Sequence, residues 1–184
     1  KVTLIRRVYY DLIGLPPTPE QIDLFVQDKS RDAFTRLVDE LLASPRFGER
    51  WGRHWLDIAR FAESVTLRGL VFNHAWRYRD YVIESYNRDL PFDRFITEQI
   101  AGDLLESESI EETHRARAAT TYLVLGNFNY EEQDKEQLRM DIVDEQLDTI
   151  GKGLLGQTLG CARCHDHKFD PIPTRDYYAM AGIL

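Results

Sequence analysis

The chain has 184 residues, 43% of them hydrophobic and 11% aromatic, which is enough apolar mass for a real core and excludes wholesale disorder. Lysine and arginine total 23 against 31 acidic residues, a formal net charge of -8, and this argues against a nucleic-acid partner, whose binding domains carry basic patches. The longest strongly apolar run is Tyr122-Leu123-Val124-Leu125, far short of the roughly 20 residues that cross a bilayer, so no membrane span is expected.

The predicted elements are helical nearly throughout. A helix-like pattern begins at Lys1, and a first residue other than Met reads as an excised domain or processed fragment. Thr18-Pro19-Glu20-Gln21 combines an N-cap, a proline at the first helical position and a capping-box glutamine, with Ile22, Phe25 and Val26 on the buried face that follows. Ser30 is placed to cap a second helix carrying Phe34, Leu37, Val38 and Leu41. Ser44-Pro45 opens a third through Trp51, Trp55, Ile58 and Ala62, and a fourth runs from Trp76 to Arg88 with Tyr78, Tyr81, Val82 and Ser85 on one stripe. Asp89-Leu90-Pro91 separates it from a fifth bearing Phe92, Phe95, Ile96, Ile100 and Leu104. Further helices are expected over Glu111–Leu125, Lys135–Leu155 and Asp176–Leu184, with loops at Ile13–Pro17, Thr66–His74, Ser107–Ile110, Gly126–Asp134 and Phe169–Pro173. No run keeps the period-2 alternation of a strand. The expectation is a single all-α domain over residues 1–184.

The two cysteines, Cys161 and Cys164, lie in Cys161-Ala162-Arg163-Cys164-His165, the C-x-x-C-H pattern of haem c attachment. Two thiols at that spacing reach both vinyl groups of one porphyrin from a single turn, and the next histidine is carried under the iron as proximal ligand. Zinc held by Cys161, Cys164, His165 and His167 is an alternative, although no separate knuckle supplies the second pair. Redox chemistry of a thioredoxin-type C-x-x-C is another, but it needs an α/β scaffold for which no strand pattern exists. A pattern with three fixed positions can also arise by chance.

The longer run Gly160-Cys161-Ala162-Arg163-Cys164-His165-Asp166-His167-Lys168-Phe169-Asp170-Pro171-Ile172 resembles a planctomycete cytochrome-C domain family, the second such domain, catalogued as a domain of unknown function. Arg6-Arg7-Val8-Tyr9-Tyr10-Asp11-Leu12-Ile13-Gly14-Leu15-Pro16-Pro17-Thr18-Pro19 and Arg50-Trp51-Gly52-Arg53-His54-Trp55-Leu56-Asp57 are similar to it as well. So are Tyr78-Arg79-Asp80-Tyr81-Val82-Ile83, Asn87-Arg88-Asp89-Leu90-Pro91-Phe92-Asp93-Arg94-Phe95 and Gln99-Ile100-Ala101-Gly102-Asp103-Leu104, so the resemblance spans nearly the whole chain. It implies a large exported multidomain protein, with a periplasmic or cell-surface location where haem c is attached. The implied partners are a redox protein or adjacent domains of the same polypeptide. It supplies no substrate.

With the motif so near the end of the chain, the distal face of a haem would be built by the residues before it, unlike in small soluble cytochromes c. Candidates for a sixth iron ligand are His54, His74, His114, Met140 and Met180, and His54 ranks first because Trp51 and Trp55 flank it as an aromatic wall. His167 is too close to His165 to reach the other face. Arg163, inside the motif, leads Arg53, Arg60, Arg77, Arg79 and Lys168 as a propionate partner, each of which is otherwise a solvated surface charge. Asp141, Asp144 and Asp148 share one helix face opposite Val143, Leu147, Ile150 and Leu154. That face reads first as solvated, with a Ca²⁺ site completed by Glu131, Glu132 and Asp134, or a glycosidase-like acid pair, as alternatives. Three functions follow: an electron-carrying haem c domain, a haem enzyme or sensor with an open sixth site near His54 and Arg60, and a zinc-stabilised helical interaction module.

Overall fold

Helix α1 (Val2–Leu12) turns Ile5 and Tyr9, one helical turn apart, into the same core. The computed structural model describes residues 1–65, 70–126, 129 and 131–184. The chain divides into two compact units, one formed by Lys1–Leu56 with Arg79–Ile96 and the other by Asp57–Tyr78 with Thr97–Leu184.

In the first unit, α2 (Pro19–Gln27) begins with the expected capping box: the Gln21 N–H donates to Thr18 Oγ1 at 3.3 Å, and the Thr18 N–H donates back to Gln21 Oε1 at 2.8 Å. Helix α3 (Ala33–Leu42) follows, and Ile5, Tyr9, Phe25, Ala33, Leu37 and Leu41 form one core cluster. Ser30 does not cap α3. Its hydroxyl donates to Asp28 Oδ1 at 2.6 Å, so the helix starts later, with Asp32 at the cap position. The buried stripe is correspondingly Ala33/Leu37/Leu41, which leaves Phe34 40% exposed.

Helix α4 (Pro45–Ile58) ends before Ala62, and Arg60 just beyond it adopts a left-handed φ of 57°. Helix α5 (Trp76–Asn87) buries Tyr78, Tyr81, Val82 and Ser85, the stripe expected from its periodicity. Within the first unit α4 and α5 approach closely at Gly48, where a Cβ would lie 2.3 Å from the Ile83 carbonyl oxygen. The Gly48 N–H donates to Asn87 Oδ1 at 2.8 Å, and Asn87 Nδ2 donates to the Pro45 carbonyl at 3.0 Å. Trp55 sits edge-on to Phe95 at 4.9 Å, and Tyr81 stacks on the same ring at 5.9 Å.

Helix α6 (Phe92–Ala101) stops short of the expected end and passes into a 3-10 turn, Gly102–Leu104, that leaves Leu104 80% exposed. Gly102 permits this path, because a Cβ there would lie 2.1 Å from the Ala116 carbonyl oxygen. In the second unit a two-residue antiparallel ribbon pairs β1 (Ser64–Val65) with β2 (Leu70–Val71). It is too short to register in a period-2 pattern. The fold is otherwise all-α, as expected. Helix α7 (Ile110–Ala119) is capped by Ser109, and it yields at Thr120 to a 3-10 turn where a continuous helix was expected.

Helix α8 (Lys135–Ile150) starts where Asp134 Oδ1 accepts the Glu136 and Gln137 N–H groups at 3.0 and 3.1 Å. It winds into a π turn, Gly151–Leu155, and stops at Gly156, whose φ of 65° suits a residue without a Cβ. A 3-10 turn, Leu159–Arg163, and α9 (Thr174–Ala181) complete the chain. Val143, Leu147, Ala162 and Tyr177 form the second unit's own cluster, rimmed by Ile172, Met180 and Ala181. The loops expected at Thr66–His74 and Gly126–Asp134 lie partly outside the described residues.

Candidate functional site

The C-x-x-C-H motif rides on the 3-10 turn Leu159–Arg163, and a 3-10 turn repeats every three residues, so positions i and i+3 share one side. Leu159 and Ala162, 3% and 0% exposed, point into the core. Gly160 and Arg163 share the side toward α8: a Cβ at Gly160 would lie 3.9 Å from Asp148 Oδ1, and Arg163 donates to Asp144 at 3.1 Å and Asp141 at 3.5 Å. The remaining side carries Cys161 and Cys164, both free thiols and both exposed. The hydrophobic pull on Leu159/Ala162 and the ionic pull on Arg163 together determine the rotation that puts both sulfurs outward.

His165 follows on the exposed side, with Nδ1 2.8 Å from the Asp166 carbonyl oxygen. A carbonyl only accepts, so Nδ1 carries the proton and the Nε2 lone pair is left for a metal, the arrangement in which a second partner orients a ligating imidazole. His167 has the opposite tautomer. Its Nδ1 accepts the Phe169 and Asp170 N–H groups at 3.2 and 2.8 Å, which are donors only. The ring proton is therefore on Nε2 and is directed to Thr158 Oγ1 at 3.1 Å. The Asp170 carboxylate, 3.4 Å from Nδ1, thus faces an unprotonated nitrogen.

The acidic face of α8 is solvated at Asp141 and Asp148 but meets the motif at Asp144. Asp144 accepts from Arg163 and, at 2.6 Å, from the hydroxyl of Tyr177; Asp141 accepts from Arg163 and Gln137; Asp148 pairs with Lys152 at 2.5 Å. Burial pushes the Tyr177 phenol well above its ordinary range, and the carboxylate accepting its proton adds to the shift. Partial burial disfavours the Arg163 charge, yet Asp144 and Asp141 hold the guanidinium above its usual pKa. Tyr178 Oη donates to the Arg163 carbonyl at 3.1 Å, so α9 grips the motif from a second residue. Asp134 caps α8, and Glu132 Oε1 accepts the Asp134 N–H at 3.0 Å. Among the described residues, no three His, Cys, Asp or Glu side chains gather as a metal-binding group.

The structure places Cys161 and Arg163 on one turn of the second unit, with Cys164 at its C-cap and His165 next in the chain. His54, Trp51 and Trp55 belong to the first unit. There His54 is exposed, 5.4 Å from the Trp51 ring in edge geometry, and Trp51 Nε1 donates to the Asp11 carbonyl at 3.1 Å. Trp55 is only 4% exposed and packs in the aromatic core. His74 and His114 are exposed, Met140 is half-buried, and Met180 packs on the second core cluster. Arg60 bonds Glu145 and Thr149, Arg79 bonds Asp80 at 3.0 Å, and Arg77 and Lys168 lie over the rings of Trp76 and Phe169. Sequence reasoning missed the roles of Thr158, Tyr177 and Tyr178, none of which stands out by local pattern. It also weighed His167 only as a ligand.

The family model PSCyt2, described as a protein of unknown function (DUF1549), matches residues 1–184. No curated protein matches the chain, and no solved structure does.

Proposed function

The chain belongs to the PSCyt2 family, a cytochrome-c-like family of unknown function, and on that premise we propose that it is a c-type haem module that carries electrons within a larger exported protein. The observation that carries the proposal is the phase of the 3-10 turn: two exposed thiols on one side, followed by a histidine whose Nδ1 is committed and whose Nε2 is open. These residues fit the group. Cys161 and Cys164 would hold haem through thioether bonds, and His165 Nε2 would ligate the iron. When bound, the haem supplies a one-electron ferric/ferrous couple.

The protein's own contribution is positional. Asp166 orients His165 through its carbonyl and, through Oδ1, accepts the Thr174 N–H at 2.8 Å at the start of α9. Arg163 is tied to α8, which favours a role in aiming the turn over a role on a propionate. Both ring nitrogens of His167 are engaged inside the protein, which favours haem over a four-ligand zinc site that would need one of them. A periplasmic or cell-surface location follows from the chemistry of haem c attachment, and the electron partner is a redox protein or a neighbouring domain of the same polypeptide.

The test is export of the chain alongside cytochrome maturation machinery, followed by a pyridine haemochrome spectrum on the denatured protein. A c-type band that stays with the chain is the expected result. Its absence under working maturation refutes the haem assignment and returns the two thiols to zinc or thiol chemistry.

A further inference from the structure

We infer that His167 is a positioning residue for the attachment turn, joining the chain before the motif to the chain after it so that Cys161, Cys164 and His165 are presented together; the inference rests on the haem assignment above. Thr158 immediately precedes the turn, and Phe169 and Asp170 follow it. One imidazole bonds all three: Nε2–H to Thr158 Oγ1 at 3.1 Å, and Nδ1 from the Phe169 and Asp170 amides at 3.2 and 2.8 Å. The His167 side chain is itself only 6% exposed, and the bond from the Asp170 amide is partly buried, while those to Thr158 and Phe169 lie at the surface.

The connection closes a loop whose ends, Thr158 and His167, are nine residues apart and which contains the entire C-x-x-C-H motif. The His167 N–H also donates to the Ile172 carbonyl at 2.9 Å, which locks the segment after the motif onto itself. The burial of Leu159 and Ala162 and the Arg163 ion pair fix the rotation of the turn, and the clamp removes freedom that remains at its two ends. Neither nitrogen of His167 has capacity left for a ligand, which distinguishes this role from a place in a metal shell.

The experiment uses the reduced chain and phenylarsine oxide, whose As=O group takes two thiols into an As(SR)₂ ring and releases water. The variants are H167F, H167N and T158V, with circular dichroism to establish folding. Asn presents Oδ1 near the place of Nδ1 and so keeps the acceptor for the two amides. H167F is expected to bind the arsenical at least about tenfold more weakly than wild type, in proportion to the loop freedom regained. H167N should recover most of the loss, and T158V should fall between. The same variants exported with maturation machinery should show the same order in covalent haem yield.

A folded H167F with wild-type arsenical affinity overturns the inference, and so does a failure of Asn to rescue. If H167F does not fold, T158V decides: Thr158 is exposed, and an affinity equal to wild type overturns the clamp. Wild-type chain that binds the arsenical yet gains no covalent haem refutes the haem assignment alone, while the ranking of the variants still judges His167.

Discussion

Replacing Asp144 with Ala removes the one carboxylate that serves both Tyr177 and Arg163, and its cost can be worked from the partners left behind. Tyr177 is 1% exposed, so its hydroxyl loses a 2.6 Å acceptor that only water entering the vacated Asp144 position can replace, a loss of about 1–3 kcal/mol. Arg163 and Asp144 side chains are 28% and 30% exposed, so solvent screens their ion pair, and it adds no more than about 1 kcal/mol. The sum is about 1–4 kcal/mol, which for a chain of this size lowers Tm by roughly 2–16 °C. Tyr177→Phe alone removes the donor and leaves Asp144 bound to Arg163, at about 1 kcal/mol. The double variant then costs less than the sum of the singles, because each has lost the same bond, and the coupling is about 1 kcal/mol. Urea denaturation followed by far-UV circular dichroism measures all four corners of the cycle. Strictly additive single-variant effects would refute the shared-acceptor geometry.

Four further outcomes are expected. Burial raises the Tyr122 phenol to about 12 from an ordinary value near 10, so the folded state holds its proton longer than the unfolded one; stability is complete below pH 10 and falls as pH rises to 12, by roughly 2–3 kcal/mol, and alkaline unfolding of Tyr122→Phe should lose this component. Gly48→Ala forces a Cβ against the Ile83 carbonyl oxygen, and the strain outweighs the helix propensity gained, for a net loss of about 1–2 kcal/mol in thermal unfolding. Cys161→Ala with Cys164→Ala should abolish covalent haem while leaving far-UV circular dichroism unchanged, because both thiols are exposed and neither packs the core. His165→Ala should retain thioether attachment but alter the iron's ligand field in the visible spectrum.

The capping box at Thr18 and Gln21, the buried stripe of α5 and the thiol–thiol–histidine spacing were legible in the sequence. Each is written over a few neighbouring residues, where hydrogen bonds and helical period depend on the local backbone alone. Ser30 shows the limit even at short range: its hydroxyl donates to Asp28 and accepts from Arg36 instead of accepting a first-turn amide of α3, and composition does not say so. The π turn after α8 is likewise a compromise with the packing around it, where Gly153 leaves room for the Tyr122 hydroxyl.

Only tertiary structure decided which way the C-x-x-C-H turn faces. Arg163 and Asp144 are 19 residues apart and Tyr177 and Asp144 33 apart, so their meeting depends on how α8, the turn and α9 pack around Leu147 and Ala162. The same acidic stripe, Asp141, Asp144 and Asp148, would be a solvated face on an isolated helix, and here it receives the motif's arginine and a buried tyrosine. Sequence alone determined that two thiols and an imidazole stand in haem-attachment order. Tertiary packing determined that both sulfurs point outward and that Arg163 and Tyr177 converge on Asp144, whereas the bonds that occupy His165 Nδ1 and His167 Nδ1 are made to neighbours one to three residues away.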